Sequence, residues 1–392
     1  MAPAFLRYAG GMKINRLNFC VIGGGIGGLA AALALRQHGA QVTLLEQAPA
    51  LTEVGAGLQI SENGMCVLRA LGVADLSAGQ KSYGTILRDY RKGRVVSRLP
   101  GPSAGPTYYF HRADLLNLLH SAARKAGVDV RLGAKVSNVQ KHPNEAEILL
   151  ASGERLRAEC VIAADGGRST IRPALNGPET PEFTHQVAWR ATIPWRPDSD
   201  VVTASLSMGP GRHVVTYPLR DQSMMNIVAV EERSDWREEG WKLNGDPDEL
   251  RARFSGFGGP VGEILSKVSD VNLWALFLRP VAEKWQNGRL ALLGDAAHPT
   301  LPFMAQGACL ALEDAWTLAR SFDEHSGVTS ALAAYEKMRR PRAESVVAAA
   351  GSNARNFHLS GPARLAAQCA LMAIGGKLSR RYEWIYSYDV TA

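Results

Sequence analysis

The feature that most constrains this chain is a glycine-rich turn set between two short apolar runs. Residues 17–22 read Leu-Asn-Phe-Cys-Val-Ile and predict a strand. Gly23-Gly24-Gly25-Ile26-Gly27-Gly28 follows, so the glycines of a G-x-G-x-x-G pattern are Gly23, Gly25 and Gly28. The Ala- and Leu-rich run from Leu29 to Gln37 predicts a helix that Gly39 stops. Gln41 to Leu45 predicts a second strand, ending on Glu46. In such a β-α-β unit each part has a physical task. Gly23 allows the tight turn out of the strand. Gly25, beside Ile26, lets the backbone approach a pyrophosphate, and Gly28 lets the helix pack closely on the sheet. The helix N-terminus offers unpaired N–H groups and a favourable dipole to phosphates. Glu46 stands 18 residues after Gly28, with Gln47 beside it, where a carboxylate accepts hydrogen bonds from ribose hydroxyls. A carboxylate there also repels the 2′-phosphate of NADP. The fingerprint alone fits FAD or NAD.

The 392 residues are enough for two closely joined domains. With 46% hydrophobic and 21% charged residues, the chain is neither disordered nor fibrous. The net charge of +7 favours anionic ligands. It does not read as nucleic-acid binding, because no long Lys/Arg block or basic run interleaved with aromatics occurs. The densest cluster, Arg339-Arg340-Pro341-Arg342, is expected to be a solvated helix end. The five cysteines are widely spaced without C-x-x-C, which argues against a disulfide framework and against zinc. The histidines show no metal-ligand spacing, so no metal is expected. These features and the absence of a secretory signal predict a cytoplasmic protein, with Met12 as a candidate natural start. No run of 18 apolar residues occurs, so no membrane span is expected; Leu365 to Ile374 reads as a buried or partner-facing helix.

Two later segments repeat the strand-then-turn pattern. Cys160-Val161-Ile162-Ala163-Ala164-Asp165-Gly166-Gly167-Arg168-Ser169 ends a buried strand in an Asp-Gly turn. Leu290-Ala291-Leu292-Leu293-Gly294-Asp295 ends another on Gly-Asp, and a loop leads to a helix from Gly307. With the first fingerprint, these motifs resemble the single-component FAD-dependent aromatic hydroxylases shaped like p-hydroxybenzoate hydroxylase. Smaller matches run the same way. His111-Arg112-Ala113-Asp114-Leu115 resembles the family's H-R-x-x-L helix start, and Gly55 to Ile60 with Asn63 resembles the loop after the second strand. That loop usually carries a proline where Glu62 stands here. The ending Trp384 to Asp389 is similar to the salicylate, 3-hydroxybenzoate and 6-hydroxynicotinate hydroxylase branch.

The resemblance implies FAD as cofactor and NAD(P)H as a transient co-substrate, NADH or NADPH being left open. It implies that Arg112 approaches the flavin's chain, Gly57 lies in the loop beside it, and Asp295 bonds the ribityl chain. Pro302 to Ala308, including Gly307, would wrap the flavin ring. Asp165 would assist the pyrophosphate, or simply cap its turn. His298 reads as structural rather than catalytic.

Residues 181–274 lose the β-α-β rhythm and alternate instead: Val187 to Ile193, Val201 to Met208, Arg212 to Leu219, Met224 to Glu231. They predict an antiparallel sheet roofing a ligand pocket. On Arg212 to Leu219, His213, Val215 and Tyr217 share one face. Matching positions contact the substrate in the hydroxybenzoate branch. By that resemblance His213 meets a phenolic hydroxyl, Tyr217 a carboxylate or ring substituent, and Gln306 supplies a further contact. A satisfied packing pair would look the same.

The predicted architecture is α/β, with a Rossmann-like FAD-binding domain (residues 12–80, 101–180 and 275–360). An inserted substrate-binding sheet takes residues 81–100 and 181–274, and a helical tail takes 361–392. The implied reaction is hydroxylation of a small, anionic phenolic or heteroaromatic acid by O2 through a 4a-hydroperoxyflavin. His213, with an unperturbed pKa of about 6.5, would deprotonate the phenol. Epoxidase, decarboxylating hydroxylase or halogenase chemistry, and a flavin-binding redox sensor, are the alternatives. The halogenase motif W-x-W-x-I-P fails at Ala191 in Trp189-Arg190-Ala191-Thr192-Ile193-Pro194. The tail aromatics Trp384, Tyr386 and Tyr388 read as packing, or as docking against another subunit of a homodimer.

Overall fold

The computed structural model describes residues 14–51, 56–73, 76–196, 201–234, 236 and 243–392. The candidate start at Met12 and the loop residue Gly55 lie outside these residues. The first unit forms as its sequence dictates. Asn18–Ile22, Ile26–Gln37 and Gln41–Glu46 are strand, helix and strand. The helix begins three residues earlier than its Ala/Leu run, because the backbone turns helical directly after Gly25. Gly28 therefore lies in its first turn, where a Cβ would sit 1.9 Å from the Gly23 carbonyl oxygen.

The two strands lie in a five-stranded parallel sheet. Its order is Leu290–Leu292, Cys160–Ala163, Asn18–Ile22, Gln41–Glu46 and Asp129–Leu132. Cys160–Ala163 and Leu290–Leu292 are buried throughout, which explains their uninterrupted apolar sequence. All the motif turns thus leave the sheet at its carboxyl edge, the edge where open α/β sheets bind ligands. The helices Gly307–Glu324 and Arg112–Lys125 pack against Ile26–Gln37.

Over this edge lies an eight-stranded sheet. Its order is Leu243–Gly245, Val271–Leu278, Glu182–Pro194, Met224–Glu232, Arg212–Leu219, Ala204–Gly209, Gly84–Asp89 and Val95–Pro100. Pairing is antiparallel except between Ala204–Gly209 and Gly84–Asp89. Alternation sets its two faces. Val187, Trp189, Val214 and Ile227 bury one face against Leu250 and Ile264 of the short helices Pro247–Arg253 and Pro260–Ser266 and against Phe254 between them. The register aligns Arg190 with Val228, Val228 with Val215, and Val215 with Leu206 on the opposite face.

The C-terminal part is helical: Val328–Phe357, Gly361–Leu378 and Glu383–Tyr386. Here one expectation is corrected. Arg339-Arg340-Pro341-Arg342 is not a solvated helix end but lies mid-helix. Arg339 is fully buried and binds Glu313 Oε2 at 2.6 Å and Asp314 Oδ1 at 2.7 Å. Arg342 reaches Glu313 at 2.6 Å. Ion pairs to a neighbouring helix hold the chain helical through a proline that costs one backbone donor. On Gly361–Leu378, Leu371 and Ile374 line the cavity described below, and Leu365, Met372 and Ile374 are exposed. No helix among the described residues is long and apolar enough to cross a membrane.

Candidate active site

A cavity of about 730 Å³ lies between the carboxyl edge of the parallel sheet and the eight-stranded roof. Gly25 and Ile26 open its floor. A Cβ on Gly25 would meet nothing within 4 Å, so open space lies directly over the N-terminus of the first helix. That is the space a pyrophosphate requires. Glu46 and the exposed Gln47 stand just outside the lining. Glu46 Oε2 accepts from Gly24 N at 2.6 Å and its Oε1 from Ala48 N at 2.8 Å. Each oxygen keeps a lone pair for a further donor. Gly57 lines the cavity, and its N–H donates to Asn226 Oδ1 of the roof at 2.7 Å. Arg112 begins its helix and lines the cavity too.

The two acidic turns differ. Asp165 is flanked by the lining residues Ala164 and Gly166 but is not itself in the lining. Its Oδ2 accepts from Thr170 N at 2.9 Å, the turn-capping role. Its Oδ1 is buried with no partner among the described residues. Asp295 does line the cavity. Burial pushes its carboxyl above the usual range, while His298 and Arg112 act in the opposite sense. An acceptor set in this wall suits a ligand hydroxyl.

Beneath the Gly-Asp turn lies a charge network that sequence reasoning did not anticipate. His298 is fully buried outside the cavity lining and pairs through Nε2 with Asp314 Oδ2 at 2.5 Å. Asp314 also accepts from Gly294 N at 3.1 Å. Burial alone would raise the Asp314 carboxyl, but His298 and Arg339 outweigh it and hold the group at about 2. On the other side, Asn63 donates to Gln306 Oε1 at 2.9 Å and to Glu313 Oε1 at 2.7 Å. Gln306 donates to Ser61 Oγ at 3.0 Å. Gln306 thus touches the cavity, but both ends of its amide brace the loop. That loop runs through Pro302 and the left-handed Ala305 (φ 51°) to Gly307 and Ala308, at the N-terminus of an 18-residue helix.

The roof brings His213, Val215 and Tyr217 into the cavity, as their alternation predicts. Burial pushes the His213 imidazole well below its ordinary value, and His358 adds to the effect. Tyr217 packs on Tyr109 with ring centroids 4.7 Å apart, and burial pushes its phenol up. Its hydroxyl would lie 2.9 Å from a Cβ on Gly57, so that glycine makes room for the ring.

Three lining or supporting residues were missed. Arg190 lies in the row between those of His213 and Tyr217, its guanidinium 4.5 Å from the Trp274 ring centre. A lone arginine in the strand Val187 to Ile193 was its signal. Tyr386, read as packing, reaches the lining, its hydroxyl 3.4 Å from Met304 O. His358 touches His213, and nothing local in the sequence marks it.

A family model described as FAD binding domain matches residues 16–350. The FAD-dependent monooxygenase OpS4 of Beauveria bassiana is 34% identical, over 96% of both chains. The 3-hydroxybenzoate 6-hydroxylase of Klebsiella oxytoca is 33% identical, over 94% of this chain and 96% of that one. A salicylate hydroxylase solved as a substrate complex superposes with a TM-score of 0.80 at 26% identity, covering 95% of this chain and 96% of that chain. The fold, the cavity and these matches agree: the chain belongs to the FAD binding domain family, among its FAD-dependent aromatic monooxygenases.

Proposed function

We propose that the protein uses NAD(P)H and O2 to hydroxylate a small phenolic or heteroaromatic acid beside the flavin. When bound, FAD supplies the redox chemistry, taking electrons from NAD(P)H and making O2 competent to attack an electron-rich ring. The chain's own part is to bind, orient and deprotonate. Gly23, Gly25, Ile26 and Gly28 would hold the pyrophosphate, with Asp165 nearby, and Glu46 with Gln47 the ribose. Asp295, Arg112 and Gly57 would meet the cofactor's middle. Pro302, Gly307 and Ala308 would border its ring, where the helix N-terminus favours negative charge.

One observation carries the substrate reading. His213, Arg190 and Tyr217 occupy successive rows of one sheet face, opposite the loop from Pro302 to Ala308, in one cavity. His213 would take the phenolic proton and so raise electron density at the ring carbons ortho and para to oxygen. Arg190 and Tyr217 would hold an anionic substituent. The apolar lining excludes water from the reacting face. Gln306 would act by holding its loop rather than by direct contact. The cysteines are free thiols, which favours a reducing, cytoplasmic setting.

The test follows oxidation of NADH and NADPH in air, and hydrogen peroxide release, with salicylate, hydroxybenzoates and hydroxypyridine carboxylates. Stimulation by one acid, with less peroxide than nucleotide consumed, is the expected result. Equal nucleotide use with and without every acid would overturn the substrate reading.

A further inference from the structure

His213 does not stand alone. Its Nδ1 lies 2.7 Å from Nε2 of His358, and Nδ1 of His358 lies 2.9 Å from Glu232 Oε1. The His213 and His358 side chains are both almost wholly buried, whereas the Glu232 side chain is 56% exposed. The three groups therefore form a chain from the cavity to solvent. We propose that His358 and Glu232 set the tautomer of His213 and carry the substrate's proton from the cavity to solvent. This rests on the reading of His213 as the phenol's base.

The tautomers follow from the donor count. A carboxylate only accepts, so Glu232 takes the Nδ1–H of neutral His358. Nε2 of His358 then has a lone pair and must accept from its neighbour. Nδ1 of His213 must donate, which leaves His213 Nε2 unprotonated as the basic atom. An exposed carboxylate thus fixes the state of a buried base two hydrogen bonds away.

The same chain gives the proton a route. The phenol O–H breaks and its proton bonds to His213 Nε2. The Nδ1 proton of His213 passes to His358 Nε2. The Nδ1 proton of His358 passes to Glu232 Oε1, and the resulting carboxylic acid loses it to water. Each imidazole ends as its other tautomer, with the proton on Nε2; the reverse transfer, in which Glu232 takes a proton from water and His213 Nε2 returns one to the phenolate oxygen, restores the start. Without a partner, a buried imidazolium would carry the full desolvation penalty. Burial already holds both imidazoles below their ordinary value, and Glu232 opposes this at His358.

Other charges near the chain are committed elsewhere. Arg212 and Glu231 alternate onto the opposite sheet face, 3.6 Å apart, and Glu231 also binds Arg233 at 3.0 Å. Asp89 is held by Arg364 at 2.5 Å and by Gln368 at 3.1 Å. Among the described residues, Glu232 is the carboxylate bonded to His358.

The test uses the FAD-loaded protein without NAD(P)H, so nothing turns over. Salicylate, 3-hydroxybenzoate and 4-hydroxybenzoate are the probes. Phenolate absorbance gives the apparent pKa of the bound phenol, and an indicator dye gives the rate of proton release on mixing. Parent protein is expected to hold the phenol pKa of at least one bound probe below that of the same probe free in solution. Glu232→Gln and His358→Gln can each still accept a hydrogen bond but cannot pass a proton. Both are expected to raise the bound phenol's pKa and to slow release about tenfold or more, with probe affinity at high pH retained. Because Glu232 is exposed, its variant keeps the test free of folding defects. Parent and both variants sharing one pKa and one release rate would overturn the relay while leaving His213 as base. A parent that lowers the phenol pKa of no probe would overturn the base assignment itself.

Discussion

The two walls of the cavity are built on different principles. The floor is local: each element is a strand followed at once by a turn. Its glycines act through backbone space, and Gly28 admits no Cβ because the Gly23 carbonyl is 1.9 Å away. The roof is non-local. His213, Arg190 and Tyr217 meet only because three strands pair in one register. A cofactor shared by many relatives can be held by local turns, whereas a substrate face changes with each side chain on a fixed sheet. Floor variants should therefore lose flavin, and roof variants should keep flavin but lose chemistry.

The largest effect expected is at the floor. Gly25→Asp adds a carboxylate in open space where the pyrophosphate belongs, so the protein should fold and purify without flavin. Visible absorbance and circular dichroism check both halves; parent-level flavin would break the contrast. At the roof, His213→Gln should keep full flavin content and lower kcat by about 10²–10⁴ fold, the usual worth of a general base. Steady-state kinetics on the flavin-loaded variant decides it.

Beneath the floor, Asp314→Asn leaves buried His298 without its carboxylate and buried Arg339 with Glu313 alone. A cost of about 3–5 kcal/mol, read by denaturant unfolding, is expected. Asp314 is held at about 2 against a reference of 3.8, so its contribution is complete above 3.8 and is lost as pH falls through about 2. The variant should lack this part of the acid sensitivity. Tyr217→Phe should be milder, raising KM roughly tenfold if its hydroxyl holds an anionic group. The smallest effect is a pH signature. His213 is held below its ordinary 6.5, so it stays unprotonated there while an unfolded histidine begins to charge. The acid limb of kcat/KM should therefore fall below 6.5, and His213's share of stability should decline as pH drops through that value.

The same contrast explains what could be read from the sequence. The three strand-turn motifs were legible because their geometry is contained in a few consecutive residues. The roof's His213/Val215/Tyr217 face was legible because alternation is a period of two. Arg190 was passed over because its importance depends on which strands flank it. His358 was invisible because the end of a 30-residue helix is brought to His213 from 145 positions away. Arg339 was misread because Pro341 looks like a helix stop until Glu313 and Asp314 are placed beside it. The same buried carboxylates brace Gln306 and Gly294, so the flavin loops owe their shape to charges that no local pattern displays.

The most direct measurement follows oxygen from ¹⁸O2 with the flavin-loaded protein, NADH or NADPH, and the acid that best stimulates oxidation. The account predicts one ¹⁸O atom in a ring-hydroxylated product, abolished by His213→Gln while flavin stays bound. All the label in hydrogen peroxide and water, with the aromatic acid recovered unchanged, would contradict it.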